Sequence, residues 1–330
     1  MKRKFFFMLV ALLATVTVQA QQIAVVAEDG TTNMYRTLQE AIEGAPNGSV
    51  VYLPGGGFTI SNEVKITKKL TIIGIGHKAN GDNVDGKTTI GGNLFFNKGS
   101  DGSAVMGCYI SGNVEIAESG VDYAVNDITI KLCNINSIQV RDKDCIGIFV
   151  NQNYIRNNSN CGNAPVIISN NVMHSLVGVN GGTINNNFFT YWGDAYTGSL
   201  NNIYNSVISG NVIACLWVGN FGGWADFDGT AFYGNFHHDE YGEKCILAIG
   251  GWEDIFVNWH YSDYESTVSS AFNYHFKEAY QQYESLCGIY AGTGFDDSQL
   301  PPVPYISSKS IPGETDASGK LHIQVTVNAK

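Results

Sequence analysis

Short apolar runs of Ile, Val and Phe recur along this chain, and Gly, Asn and Ser separate them. Many runs contain a phrase of the form Ile/Val-x-x-Asn, such as Ile168-Ser169-Asn170-Asn171. The asparagines of the phrase follow one another at steps of 16 to 24 residues; they are Asn93, Asn113, Asn134, Asn153, Asn171, Asn187, Asn211, Asn235 and Asn258. A period of this size predicts stacked units, none of which buries its apolar face alone.

The composition of each unit predicts strands and not helices, because β-branched and aromatic residues between turn residues are typical of strands. Leucine-rich repeats share the period, but they need several leucines in each unit. Each unit is therefore predicted to be a coil of short strands that stacks in parallel on the next. Asn tolerates the left-handed backbone region, and its amide can bond the same amide one coil away, about 4.8 Å along the stack. We therefore expect a ladder in which Asn153, Asn171 and Asn187 occupy equivalent turns.

The N-terminal part of the chain contains one amphipathic helical pattern, at residues 34–45. Leu38, Ala41 and Ile42 share one face, and Pro46 follows the pattern. A short helix in this place is expected to cap the exposed end of the first coil.

The C-terminal part repeats less well. Residues 271–276 are compatible with a strand or a helix, and residues 277–286 have helical spacing. A proline-rich boundary at residues 300–304 precedes the alternating segment Leu321–Val327, which predicts a strand with one apolar face. Residues 301–330 are therefore predicted to form a small β cap on the last coil, with an edge strand as the alternative.

The interior Ile/Val stacks, the Asn-bearing turns, the irregular coil lengths and the opening helix with Pro46-Asn47-Gly48 together resemble the pectate-lyase-like (pectin lyase fold) superfamily. The resemblance implies an all-β chain, folded as a right-handed parallel β-helix over residues 21–300. It implies no single activity, because the same solenoid carries lyases, hydrolases, esterases, adhesins and inert stalks.

Residues 1–20 have the pattern of a signal peptide. Lys2, Arg3 and Lys4 precede an apolar run that ends at a small-residue cleavage site before Gln21. The sequence thus predicts export, with the protein secreted, periplasmic or at the cell surface. No later stretch is apolar enough to predict a transmembrane segment.

The charge of the exported part is strongly negative. Without Lys2, Arg3 and Lys4, 16 basic residues face 30 acidic ones, which gives a net charge of −14. This balance argues against nucleic acid as a partner. The seven cysteines form no Cys-x-x-Cys pair, and Cys133 lies within the repeat phrase, where we expect a small apolar core residue.

An aromatic cluster is the first candidate site, because all five tryptophans fall within residues 192–259. Aromatic faces beside carboxylates suit a sugar ring, whose apolar face stacks while its hydroxyls are hydrogen-bonded. The residues predicted to line an open glycan-binding groove are Trp192, Trp217, Trp224, Asp226 and Asp228. The alternative is that the rings belong to the core, as we expect for Trp259, which directly follows a repeat asparagine.

A basic cluster is the second candidate. Arg141, Lys143 and Arg156 lie about one coil apart and are candidates for the catalytic base of uronate β-elimination. Asp142 and Asp144 are then candidates to hold a cation, with Ca²⁺ as the candidate cofactor. A solvated turn is the simpler interpretation of this stretch. The polygalacturonase and esterase phrases of the superfamily, Asn-Thr-Asp with Gly-His-Gly and Gln-Asp-Thr, are missing from the sequence.

The third candidate is the run His237-His238-Asp239-Glu240, which has the residue types of a metal site. Adjacent strand residues point to opposite faces, so two neighbouring histidines on a strand do not share one ion easily. We therefore expect an exposed polar loop.

The function predicted from the sequence is recognition of an extracellular polysaccharide or glycan. The first alternative is a polysaccharide lyase or glycosidase that acts on an acidic polysaccharide. The second is a structural or adhesive surface protein without a small ligand.

Overall fold

The computed structural model describes residues 22–59, 64–78, 86–120, 123–191, 199–214, 229–238, 243–259 and 268–328. Within these ranges, short strands stack in parallel into three long sheets, so the predicted all-β parallel β-helix is confirmed. A typical coil contributes one strand to sheet 1, then one to sheet 2, then one to sheet 3. Sheet 1 begins with two antiparallel strands, β1 and β2, before the parallel stack starts at β3.

The eleven described strands of sheet 1 are β1 (Ile23–Val26), β2 (Thr32–Tyr35), β3 (Val50–Tyr52), β6 (Thr71–Ile73), β9 (Ala104–Met106), β12 (Thr129–Lys131), β15 (Ile148–Asn151), β18 (Val166–Ser169), β21 (Thr183–Asn185), β24 (Val207–Ser209) and β26 (Ala231–Tyr233).

The ten described strands of sheet 2 are β4 (Gly56–Thr59), β7 (Thr88–Gly91), β10 (Tyr109–Ile110), β13 (Asn134–Ile135), β16 (Tyr154–Ile155), β19 (Val172–Met173), β22 (Phe188–Phe189), β25 (Val212–Ile213), β27 (Phe236–His237) and β28 (Ile246–Leu247).

The seven described strands of sheet 3 are β5 (Val64–Ile66), β8 (Leu94–Phe96), β11 (Val114–Ile116), β14 (Ile138–Val140), β17 (Ser159–Ala164), β20 (Leu176–Asn180) and β23 (Leu200–Tyr204).

The core lies inside the coils, where residues in register form apolar columns. Ile72, Val105 and Ile130, for example, are paired on consecutive strands of sheet 1 and are fully buried. Each strand alternates between an inward apolar residue and an outward residue, so stacking converts a two-residue period into continuous columns along the axis.

The asparagine ladder is confirmed between sheets 1 and 2. The Nδ2 of Asn153 donates to Oδ1 of Asn171 at 3.0 Å, and the Nδ2 of Asn171 donates to Oδ1 of Asn187 at 3.0 Å. The same bond continues through Asn211 to Asn235. The residues before the ladder asparagines, Gln152, Asn170, Asn186, Gly210 and Gly234, all have positive φ, as this tight turn requires.

The periodic phrase does not place every asparagine on this ladder. Asn134 pairs with Tyr109 and Tyr154, so the ladder position of its coil belongs to Cys133, whose backbone N–H donates to Oδ1 of Asn153 at 2.9 Å. Asn93 and Asn113 precede strands of sheet 3 and belong to a different turn. Asn258 lies in β29 (Phe256–Asn258), which pairs antiparallel with β30 (Asn273–Phe276) and is not a coil strand.

The N-terminal helix begins later than predicted. Helix α1 spans Leu38–Gly44, while Met34 and Tyr35 belong to β2. A capping box sets the boundary, since the Thr37 side chain accepts from the backbone N–H of Glu40 and Glu40 accepts from Thr37 N–H. The buried residues of α1 are those of the predicted apolar face, Leu38, Ala41 and Ile42, and they pack in the core with the first strands.

After β28 the chain leaves the described stack and packs against it. A short helix α2 (Trp252–Ile255) leads into β29, and a 3₁₀ helix spans Glu278–Tyr283 after β30. Aromatic side chains of this region cover outward residues of sheet 2; the buried rings of the resulting cluster are Tyr154, Phe188, Phe236, Trp252, Phe256, Trp259, Tyr274, Phe276 and Phe295. The buried position of Trp259 agrees with the expectation that it is structural.

Residues 286–301, which we call the strap, then run back across the turns between sheets 1 and 2. Gly288 N–H donates to Gly210 O at 2.8 Å, and the Asn170 side chain donates to Ala291 O at 2.7 Å. At the far end, His77 Nε2 lies 3.0 Å from Gln299 Oε1. The strap therefore touches coils from near the end of the stack to near its start.

The C-terminal residues form a hairpin of β31 (Tyr305–Ser310) and β32 (Gln324–Asn328). Val325 is 46% exposed and Val327 is 59% exposed, so the apolar face predicted for this strand is open to solvent. Among the described helices, none has the length and apolar character needed to cross a bilayer.

Candidate functional site

An open groove lies on the outer face of sheet 3. It has a volume of about 290 Å³, and the side chains that define it are Lys65, Phe95, Glu115, Glu118 and Arg141. We call it the sheet 3 groove. Lys65, Phe95 and Glu115 are in register on β5, β8 and β11, so they form one outward column with about 4.8 Å between neighbours.

The column exists because the four strands β5, β8, β11 and β14 each place one polar or aromatic residue between two buried apolar ones. Lys65 lies between Val64 and Ile66, and Glu115 lies between Val114 and Ile116, each with the alternating burial of a strand. The apolar neighbours fix the strands against the core, and the middle side chain must therefore point outward. Register extends the column to Gln139 and Asn160 on the next two coils.

The charges of the groove are paired with each other. Arg141 donates from Nη2 to Glu115 Oε2 at 3.0 Å and from Nε to the same oxygen at 3.1 Å. Lys65 Nζ lies 3.4 Å from Glu118 Oε1. The two cations and two carboxylates therefore leave the groove without net charge, beside the half-buried ring of Phe95. Such a surface offers an apolar face and several hydrogen-bonding groups.

The backbone of the groove contains one unusual residue. Ala117 has φ of 62°, a left-handed conformation that alanine rarely adopts, and its N–H donates to Phe96 O at 2.9 Å. Non-glycine residues with left-handed backbone conformations are enriched at active sites and ligand-binding sites.

The structure separates the three basic residues that the sequence grouped. Arg141 follows β14 in sheet 3 and is exposed, as the interpretation as a solvated turn predicts, but its guanidinium also pairs with Glu115 in the groove. That interpretation is correct for Lys143, whose ammonium pairs at 2.7 Å with Asp144 while each side chain is 70% exposed. Arg156 follows β16 in sheet 2, where its Nη1 donates to Asn134 Oδ1 at 2.6 Å, so it lies on a different face from Arg141.

The acidic pair proposed to hold Ca²⁺ is part of the same exposed turn. Asp142 Oδ1 accepts from the backbone N–H of Asp144 at 2.9 Å, and Asp144 is bonded to Lys143. These bonds occupy the carboxylates with local partners. Throughout the described ranges, no group of three or more His, Cys, Asp or Glu side chains is arranged to hold a metal ion.

The predicted glycan-binding residues Trp192, Trp217, Trp224, Asp226 and Asp228 lie outside the described residues. The two tryptophans that are described, Trp252 and Trp259, are 4% and 3% exposed within the aromatic cluster on sheet 2. For these two rings, the core interpretation is confirmed.

The two adjacent histidines point to opposite sides, as expected for a strand. His237 is the last residue of β27 and is fully buried, so the prediction of an exposed loop is wrong for it. His238 is exposed, and its Nδ1 lies 2.9 Å from Ala248 O while its ring packs edge-on against Trp252. The pairing with β28, in which His237 lies opposite Leu247, extends the strand into His237.

Sequence reasoning missed Lys65, Phe95 and Glu115. They belong to no motif and lie 20 to 30 residues apart, so only the stacking of coils brings them together. The alternation within Val-Lys-Ile, Leu-Phe-Phe and Val-Glu-Ile could have identified them. In a strand with two buried outer residues, the middle residue points outward.

Comparison with known proteins gives no relative on which function could rest: no family model matches the chain, and no curated protein and no solved structure matches it significantly.

Proposed function

We propose that this protein is an exported carbohydrate-recognition protein that binds a glycan chain in the sheet 3 groove. The observation that carries the proposal is the outward column of Lys65, Phe95 and Glu115, which continues as Gln139 and Asn160. A linear array of hydrogen-bonding side chains beside one aromatic ring suits a linear polymer that lies along the solenoid axis.

The paired charges favour a neutral or weakly charged glycan. Arg141 and Lys65 already contact Glu115 and Glu118, so an acidic sugar would have to displace these carboxylates before it gained a cation. Sugar hydroxyl groups can instead form hydrogen bonds with the N–H donors and carboxylate oxygens that the ion pairs leave exposed, without breaking the pairs.

Export and family membership are part of the same proposal. The signal-peptide pattern at residues 1–20 supports a secreted, periplasmic or cell-surface location. The three-sheet parallel coil and the asparagine ladder support a right-handed solenoid of the pectate-lyase-like kind.

The test is binding of the purified protein to an array of neutral and acidic polysaccharides, followed by calorimetry on the best ligand. Phe95→Ala should weaken binding about fivefold, because one ring–sugar stack contributes about 1 kcal/mol. Phe149→Ala is the matched control, since Phe149 is a half-buried, outward ring on sheet 1 and its loss should leave binding unchanged. Equal affinities for the wild type and Phe95→Ala would contradict the assignment of the groove.

The second candidate is a polysaccharide lyase, which the presence of Arg141 beside Lys65 in the groove favours. Proton abstraction needs a base within reach of the sugar and a cation that neutralises the uronate. If the protein cleaves uronides, the unsaturated product absorbs in the ultraviolet, and Arg141→Ala should abolish that signal with little change in melting temperature. A protein that neither binds nor cleaves any glycan would instead fit the structural or adhesive alternative.

A further inference from the structure

The outer face of sheet 2 is covered along only part of its length. Tyr154 packs beneath the C-terminal region, with its ring 5.3 Å from that of Phe295 and 6.5 Å from that of Tyr274. Register places Asn134 and then Tyr109 next in the same outward column. Tyr109 is half-buried and lies beyond the aromatic cluster that covers Tyr154.

Two cationic groups lie against the ring of Tyr109. Lys87 Nζ is 4.4 Å from the ring centroid, and the Arg156 guanidinium carbon is 4.6 Å from it. The two positive groups are thus no more than about 9 Å apart, since they share one centroid. Cation–π contact stabilises each group against the ring, but it does not neutralise the charge.

The guanidinium of Arg156 is held by neutral acceptors. Its Nη1 donates to Asn134 Oδ1, and its Nη2 donates to Ile110 O at 2.9 Å and to Ser111 O at 3.1 Å. These bonds hold the guanidinium plane of Arg156 against the turn that follows β10 of sheet 2. Burial lowers the pKa of Arg156, which means that the charged side chain has lost part of its hydration.

Neither cation has a carboxylate partner among the described residues. The ion pairs found there involve other cations, such as Lys65, Lys143 and Arg141. Repulsion between a partly desolvated arginine and a second cation is relieved when an anion binds near both.

We propose that Lys87, Tyr109 and Arg156 form a binding site for an oxyanion, either a carboxylate or a sulfate group. Arg156 has a fixed guanidinium plane and keeps N–H donors besides the three that bond to Asn134, Ile110 and Ser111. Lys87 is exposed and brings three mobile donors that can close over the anion. A third cation, Lys78, lies over Tyr154 on the same sheet, 5.3 Å from the ring centroid, and donates to the backbone oxygen of Asp297.

This site is separate from the proposed glycan site, because it lies on sheet 2 while the groove lies on sheet 3. Failure of the one proposal leaves the other intact. The anion could be a free ion or a group on an acidic polymer, and the shared chemistry is the planar or tetrahedral oxyanion itself.

Inorganic sulfate is the probe that tests the site. Isothermal titration with sodium sulfate, against sodium chloride at matched ionic strength, should show saturable binding to the whole protein. Lys87→Gln should weaken this binding about tenfold, because one charge-assisted contact is lost. Lys98→Gln is the matched control, since Lys98 is also exposed and lies 5.9 Å from the centroid of Tyr123, and it should bind sulfate like the wild type.

A second arm distinguishes the two sources of the anion. A sulfated oligosaccharide that binds more tightly than inorganic sulfate, while its desulfated counterpart does not bind to the site, identifies a polymer-borne group; equal affinity identifies a free ion. Absence of any saturable sulfate binding, or equal binding by the wild type and Lys87→Gln, would overturn the proposal.

Discussion

Asn171 shows how one side chain joins three coils of the solenoid. Its Nδ2 donates to Val150 O and to Asn187 Oδ1, both at 3.0 Å, and its Oδ1 accepts from the Nδ2 of Asn153 at 3.0 Å. The side chain is fully buried. No water can replace a lost partner there, so each bond of the ladder depends on the residues above and below it.

We therefore expect Asn171→Leu to lower the free energy of unfolding by more than about 2 kcal/mol, because roughly 1–3 kcal/mol is lost for each buried polar group that stays unsatisfied. Denaturant unfolding measures the change. Asn157→Leu is the control, since Asn157 is exposed and its amide makes a bond to Asn136 at the surface. Equal losses in the two variants would show that the ladder adds nothing beyond an ordinary surface amide.

The ladder also shows where matching the repeat phrase residue by residue gives a wrong position. Asn153, Asn171 and Asn187 could be predicted, because a left-handed residue precedes each of them and Asn suits both the turn and the stack. The sequence around Asn134 resembles another copy of the repeat phrase, but in the structure Cys133 occupies the ladder position of that coil. Burial raises the pKa of Cys133 to about 12, so this thiol stays protonated, and its Sγ lies 3.2 Å from Lys131 O as a donor.

At the scale of elements, the strap is anchored at its far end by His77. Gln299 Nε2 donates to Asp296 O at 2.6 Å, which leaves Gln299 Oε1 facing His77 Nε2 at 3.0 Å. The imidazole must therefore carry its proton on Nε2. Nδ1 is buried and lacks a hydrogen-bond partner among the described residues, so a second proton there would be unsatisfied.

Burial lowers the pKa of His77 to about 4, with the positive charges of Lys78 and Lys87 acting in the same direction. The unfolded chain binds the proton with a pKa of 6.5. Since the folded pKa is the lower one, His77 is neutral in both states above about pH 6.5, and the fold loses stability as the pH falls towards about 4. The full loss is about 3 kcal/mol.

Thermal unfolding of the wild type and His77→Gln between pH 7 and pH 4 checks this expectation. Carboxylates titrate in both proteins, so the measured quantity is the difference between their stability curves. The wild type should lose more stability than the variant as the solution becomes acidic. Parallel curves would mean that His77 takes up its proton without disturbing the strap.

The strap could not be predicted from the sequence. Its residues show no period, and its partners lie far away in the chain, as with Asn170 and Ala291, 121 residues apart. Short-range patterns report strands and turns, but they carry no information on which surface a non-repetitive segment covers. The coils themselves could be predicted because each needs the same alternation and the same turn.

At the scale of the whole molecule, three sheets give three outer faces with different chemistry. Sheet 2 is covered by the aromatic cluster over part of its length and carries the proposed Lys87–Tyr109–Arg156 site beyond it. Sheet 3 carries the groove, in which the cations are already paired with carboxylates. Trp217 and Trp224 of the predicted tryptophan site lie outside the described residues.

The two proposed sites should respond differently to salt. Raising the sodium chloride concentration from about 50 mM to about 500 mM shortens the screening length to a few ångströms. Sulfate binding near Lys87 and Arg156 should weaken strongly, because two cations attract the anion through partly solvated space. Glycan binding in the sheet 3 groove should change less than about twofold, since stacking on Phe95 and hydrogen bonds to paired charges involve no net charge.

Calorimetric titrations of the two ligands over this salt range provide the measurement, with Phe95→Ala and Lys87→Gln assigning each signal to its face. A glycan affinity that falls with salt as steeply as the sulfate affinity would contradict the neutral groove. It would mean that an acidic polymer opens the Arg141–Glu115 and Lys65–Glu118 pairs to reach their cations. That result would favour the lyase alternative, in which the freed Arg141 faces a uronate.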